Sequence, residues 1–105
     1  MQKNLAAFAA ALVLFCAGAA AADAPVTPEQ IKVGAELYAG NCASCHGNRM
    51  KNPEWAIDLA TIPKDDRMRF VQSVTNGKNG MPPWGDVLKA ADIDALWAYF
   101  SQGEK

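Results

Sequence analysis

The octapeptide Asn41–Asn48, NCASCHGN, limits what this chain can become more than any other stretch. It crowds Cys42, Cys45 and His46, the only histidine, into five residues. Two thiols and an imidazole at that spacing suit a metal, a disulfide or a prosthetic group. The chain around them has 105 residues, enough for one small domain.

The first residues read as a removable address. Lys3 supplies a positive start, Leu5–Gly18 an apolar run, and Ala19–Ala22 small residues that suit cleavage. Residues 1–22 are therefore expected to be a signal peptide cut after Ala22, and residues 23–105 the mature domain. The apolar run is short for a bilayer span, although a retained anchor is the alternative. Phe15, before Cys16, is too bulky for lipoprotein processing, so Cys16 leaves with the leader. The product is expected to be exported to the periplasm without stable membrane insertion. Loss of Lys3 moves the formal net charge from −1 to −2. Such a balance gives no basic surface for nucleic acid and no polybasic block for a membrane. The remaining 83 residues lie near the lower limit for a self-sufficient core, so the Cys/His cluster is expected to staple the fold as well.

Three segments carry helical signals. In TPEQIKVGAELYAG, Thr27 suits an N-cap, Pro28 the first helical position and Gln30 a capping box. Ile31, Ala35 and Tyr38 share a face, with Gly34 beside them and Gly40 as the expected stop. In DDRMRFVQSVTNG, Asp65 and Asp66 favour the start, Phe70, Val71 and Val74 line one face, and Gly77 ends it. In ADIDALWAYFSQG, Ile93, Leu96, Trp97 and Phe100 recur at helical spacing and Gly103 closes. The stretches between are rich in Gly, Pro and Asn and carry no long alternating strand. The expected fold class is all-α with long loops, which in so small a domain wrap something or bind something.

Three chemistries compete for the cysteines. A structural zinc site takes four Cys or His ligands, and the mature chain offers three in one cluster. A thioredoxin-type pair needs a strand before its helix, whereas a helix precedes Cys42. A simple disulfide leaves His46 unexplained. Cys-x-x-Cys-His is the attachment pattern of c-type haem, with two thioethers to the macrocycle and the histidine on iron. Export agrees with it. One covalent haem c held by Cys42, Cys45 and His46 is the expectation.

The opposite face of the iron has no second histidine. Met50 is too close to His46 to pass around a ring, and Met68 is expected to face the core of its helix. Met81 lies 35 residues beyond His46, in NGKNGMPPWG, where Gly80 permits close approach and Pro82 favours an extended Met81. His46 and Met81 are thus the expected iron ligands. A methionine that merely packs the haem edge is the alternative.

At this point the chain resembles the small monohaem class I cytochromes c along essentially all of its mature length. GAELYAGNCASCHG is similar to the family's N-terminal helix and haem site, MPPWGDVL to its methionine loop, and ALWAYF to its last helix. The resemblance implies a compact three- to four-helix fold with long loops wrapped around one covalent haem. It implies that Gly34 and Tyr38 meet Leu96 and Tyr99 where the end helices cross, and that a proline carbonyl after the histidine orients the imidazole, Pro53 being nearest. Lys89 departs from the usual Ser or Thr cap of the last helix. Trp84 makes the loop similar to cytochromes that accept electrons from periplasmic quinoprotein alcohol dehydrogenases. Trp55 and Arg49 are candidate partners of a haem carboxylate, and Lys51, Lys64 and Lys78 could ring an exposed haem edge.

The function implied is electron transfer rather than enzymatic catalysis. A monomeric periplasmic carrier would take one electron from a dehydrogenase and pass it to an oxidase of the terminal respiratory chain. Two strong axial ligands raise the potential and leave no open position for substrate. The rival classes are an enzyme or gas sensor with an open haem, and a thiol–disulfide protein without one.

Overall fold

Thr27 starts the fold. In the computed structural model, which describes residues 25–104, its side chain accepts from the Gln30 N–H while Gln30 Oε1 accepts from the Thr27 N–H, both at 3.1 Å. This reciprocal cap launches helix α1, Pro28–Asn41. Gly40 does not stop it, contrary to the sequence expectation. An αR residue, Cys42, carries the chain almost directly into a single further turn, α2, Ala43–His46. No αL residue breaks the path there, so the helical direction persists into the Cys/His motif.

Asp66 caps α3, Arg67–Asn76, by accepting from the Arg69 N–H at 3.1 Å, and the helix ends at Gly77. The last helix, α4, spans Ala90–Gln102. Its Lys89 cap position offers no side-chain acceptor, and Asp92 compensates by accepting from the Lys89 N–H at 2.9 Å. Two short 3₁₀ turns, Asn48–Met50 and Leu59–Thr61, punctuate the long loop after His46. Among the described residues the regular structure is helical, with one isolated bridge between Lys78 and Met81. The fold class is all-α. The expected leader, residues 1–22, lies outside the described residues.

α1 and α4 cross closely because Gly34 has no side chain. A Cβ there would overlap the Ala95 carbonyl and approach the Tyr99 Cβ to 2.8 Å. The Tyr38 and Tyr99 rings lie beside the crossing, with centroids 5.3 Å apart. Ala95 and Tyr99 thus meet the glycine, and Leu96, buried in the same core cluster as Tyr38 and Tyr99, also borders the cavity described below. α3 meets α4 through Phe70, stacked on Phe100 at 4.9 Å and tilted against Trp97 at 5.4 Å, and through the Arg67–Asp94 ion pair. Met68, expected to face the core, is exposed on the far side of α3. Met50 takes a core position instead.

The crossing makes a testable contrast. Gly34→Ala is expected to destabilise by about 2–3 kcal/mol, the upper part of the overpacking range, lowering the thermal midpoint on the order of 10–20 °C. Gly40→Ala, with nothing within 4 Å of its added Cβ, should instead stabilise α1 by roughly 0.5–1 kcal/mol. Thermal unfolding followed by far-ultraviolet circular dichroism checks both.

Candidate functional site

The helices and the two long loops enclose a cavity of about 520 Å³. That lies within the roughly 300–1,000 Å³ usual for small-molecule and cofactor sites. Cys42, Cys45 and His46 stand on its wall, and so do Met81, Trp84, Leu96 and Phe100. The two expected attachment points, Cys42 and Cys45, and the two expected iron ligands, His46 and Met81, therefore border one cavity.

The histidine is fixed from behind. His46 is 8% exposed, and its Nδ1 lies 3.0 Å from the Ile57 carbonyl oxygen. A carbonyl can only accept, so the proton belongs on Nδ1 and the Nε2 lone pair remains for a metal. Ile57, not Pro53, supplies this carbonyl. The intervening loop bends back far enough for the Glu54 N–H to donate to the Cys45 carbonyl at 3.1 Å, which brings Ile57 rather than Pro53 behind the ring.

The turn after His46 depends on Gly47, at φ +92°, where a Cβ would overlap the Lys51 carbonyl. The buried Tyr38 hydroxyl donates to the Gly47 carbonyl at 2.6 Å, and burial pushes its pKa up to about 12. Arg49 and Met50 follow in the left-handed region, at φ 56° and 60°. Arg49 does not reach the cavity. It donates from Nε and Nη2 to the Glu104 carboxylate at 3.1 and 3.0 Å, and Tyr99 donates to the same carboxylate at 2.9 Å. The bond from Arg49 is the main reason that the Glu104 carboxyl is held below its usual range.

Cys42 and Cys45 are half-buried and are not joined in a disulfide. Burial, with a smaller contribution from the neighbouring Cys45, pushes the Cys42 thiol up to about 11. Redox-active pairs shift the other way, to thiolates with pKa values of roughly 3.5–7.5. Burial thus moves Cys42 away from the thiolate form that a redox-active pair uses.

Met81 borders the cavity from a loop tied down at several points. The Lys78 N–H donates to the Met81 carbonyl at 3.1 Å, and the Met81 N–H to the Lys78 carbonyl at 2.9 Å. Beyond it, Trp84 and Gly85 donate their N–H groups to Val74 and Thr75 at the end of α3, at 2.9 and 3.1 Å. The cationic wall differs from the sequence expectation. Lys78 lines the cavity, but Lys64 sits 3.6 Å over the Phe100 ring centroid, and Lys51 is exposed away from the cavity. Arg69 also lines it, and sequence reasoning missed that residue. The signal was available, because Arg69 stands one position before Phe70 and four before Ser73, both on the cavity side of α3. Neither Arg69 nor Lys78 forms an ion pair among the described residues. Both suit the carboxylates of a macrocycle whose body fills an apolar chamber.

A helical shell around such a chamber, with Cys-x-x-Cys-His on its wall, defines a haem protein of the class I c-type fold. The comparisons agree. Residues 29–100 match the family model described as Cytochrome C oxidase, cbb3-type, subunit III. The chain is 41% identical over 88 residues to the cbb3-type cytochrome c oxidase subunit FixP of Azorhizobium caulinodans, covering 78% of this chain and 29% of that protein. It therefore spans less than a third of that relative. It is 38% identical over 78 residues to cytochrome c6 of Microcystis aeruginosa, covering 69% of this chain and 96% of the relative. Its fold matches the crystal structure of cytochrome cL from Hyphomicrobium denitrificans with a TM-score of 0.64 at 26% identity, over 72% of this chain and 48% of that one. The chain belongs to the cytochrome c family. It is a monohaem c-type electron carrier with covalent haem c.

Proposed function

We propose that the chain is an exported, periplasmic, monomeric carrier whose haem hangs from Cys42 and Cys45 with His46 and Met81 on the iron. The observation that carries this is the shared cavity. A histidine with Nε2 free and a methionine on a braced loop border one chamber of suitable size. When bound, the haem supplies one-electron chemistry between Fe(II) and Fe(III). The chain's own residues anchor it, fix the imidazole through Ile57, exclude water with Phe70, Leu96 and Phe100, and balance its carboxylates with Arg69 and Lys78. No helix among the described residues is long and apolar enough to cross a membrane.

The donor in this reading is a periplasmic quinoprotein alcohol dehydrogenase, and the acceptor is an oxidase of the terminal respiratory chain. The donor assignment draws on the Trp84-bearing loop and on the likeness to a cytochrome cL. The acceptor assignment draws on the similarity to an oxidase subunit. Carrier complexes are small and transient, and a formal net charge near zero steers only over about a Debye length. Stopped-flow reduction of the oxidised protein by such a dehydrogenase is expected to saturate weakly and to slow moderately with salt. Trp84→Ala should slow it further. Negligible reduction, alongside fast turnover by another periplasmic donor, removes the quinoprotein assignment and leaves the carrier.

A further inference from the structure

The two loops that flank the cavity meet at one exposed aromatic residue. Trp55 is 68% exposed and stands on the wall of the cavity, as do Asn79 and Gly80 across from it. It is rooted on the histidine side, between Glu54, whose N–H donates to the Cys45 carbonyl at 3.1 Å, and Ile57, whose carbonyl holds His46 at 3.0 Å. From there the benzo edge of the indole reaches across to the methionine loop. Its Cζ3 and Cη2 atoms lie 3.4 and 3.7 Å from the position a Cβ on Gly80 would take.

The tip of that loop has little else to hold it. Lys78 and Met81 bond each other, and Trp84 and Gly85 bond α3, but the exposed tip residues Asn79 and Gly80 take part in none of these bonds. Asn79 is also in the left-handed region, at φ 54°. A segment with few buried contacts and a solvent-exposed backbone opens at low cost.

We propose that Trp55 is a clasp: by packing on Gly80 it keeps the methionine loop closed, and so acts as a positioning residue for Met81. This rests on the reading of Met81 as an iron ligand. An outside ligand can reach the iron only from the open form. Its apparent affinity is its intrinsic affinity multiplied by the open fraction. Loosening the clasp raises that fraction and tightens outside ligands in proportion, while the closed form keeps its spectrum.

The test is imidazole binding to the oxidised holoprotein, followed in the visible spectrum. Trp55→Ala and Trp55→Leu should each bind imidazole about tenfold more tightly than wild type. Leucine keeps an apolar side chain but cannot reach Gly80. Met68→Ala, on the exposed face of α3, should bind as wild type does. In a Met81→Ala background the Trp55 substitutions should add nothing, because no ligand remains for the clasp to hold. Unchanged affinity in Trp55→Ala, or wild-type affinity in Trp55→Leu, overturns the clasp and leaves Met81 as ligand. Equal tightening with and without Met81 also overturns it, since Trp55 then only shields the entrance. A wild type that binds imidazole as avidly as Met81→Ala removes the ligand assignment itself, and the clasp with it.

Discussion

Replacing Cys42 and Cys45 together by serine is expected to leave almost no folded, haem-bearing protein. The cavity they border is about 520 Å³, and the residues facing it include Leu96 and Phe100 from the core. At about 24 cal/mol per Å³ of residual cavity, a void of that size would cost roughly 12 kcal/mol. Because the chamber opens to solvent, that figure is an upper bound. It still matches the whole stability of a small domain, about 5–15 kcal/mol. The haem is in effect the largest core residue, and the thioethers keep it from dissociating. Denaturing mass spectrometry of the wild type should show chain plus haem, and the double serine variant bare chain at low yield. A wild-type mass equal to the bare polypeptide would overturn covalent attachment. A serine variant with wild-type yield and thermal midpoint would overturn the structural role.

Local signals carried the helices well. Thr27, Pro28 and Gln30 form the cap their order implied, and Asp66 caps α3 as an acidic residue before a helix should. The expected face of α4 is likewise the one that packs. The errors fall where a residue's fate depends on distant chain. Gly40 suggests a terminator, but a glycine ends a helix by taking the αL conformation, and Gly40 is not among the positive-φ glycines, so α1 runs on to Asn41. Met68 is expected in the core because a methionine inside a helix ordinarily packs there. The packing direction of α3 was set by Phe70 and Val74 against α4, which leaves Met68 outside.

The site was legible by the same measure. The Cys-x-x-Cys-His spacing is local and can be read from sequence, and the structure places its three residues on one cavity wall. The carbonyl behind His46 and the cations at the rim are tertiary facts. Pro53 and Arg49 were the nearest residues in sequence, but a left-handed pair at Arg49 and Met50 turns the chain so that Arg49 faces Glu104 and the C-terminal end of α4. Ile57, more distant in sequence than Pro53, stands behind the imidazole, and Arg69 lines the cavity that Arg49 does not reach.

Met81→Ala is expected to change the iron site most while changing the fold least. Met81 is only partly buried, and its loop is held by backbone bonds on both sides, so the truncated loop should keep its path. On the proposed ligation, three properties then move together. The long-wavelength sulfur-to-iron charge-transfer band disappears, because its donor atom is gone. The reduction potential falls by a sizeable part of the roughly 0.8 V that axial ligands span, since methionine opposite histidine raises the potential. Carbon monoxide binds the reduced haem readily, because the position that Met81 closed is open. Met68→Leu, on an exposed surface, should leave all three nearly unchanged. The combination separates ligation from packing. A methionine that only touched the haem edge could alter the potential through polarity and access, but it could not carry the charge-transfer band or block carbon monoxide. Avid carbon monoxide binding by the wild type at neutral pH would therefore overturn the closed Met/His site and restore the open-haem alternative.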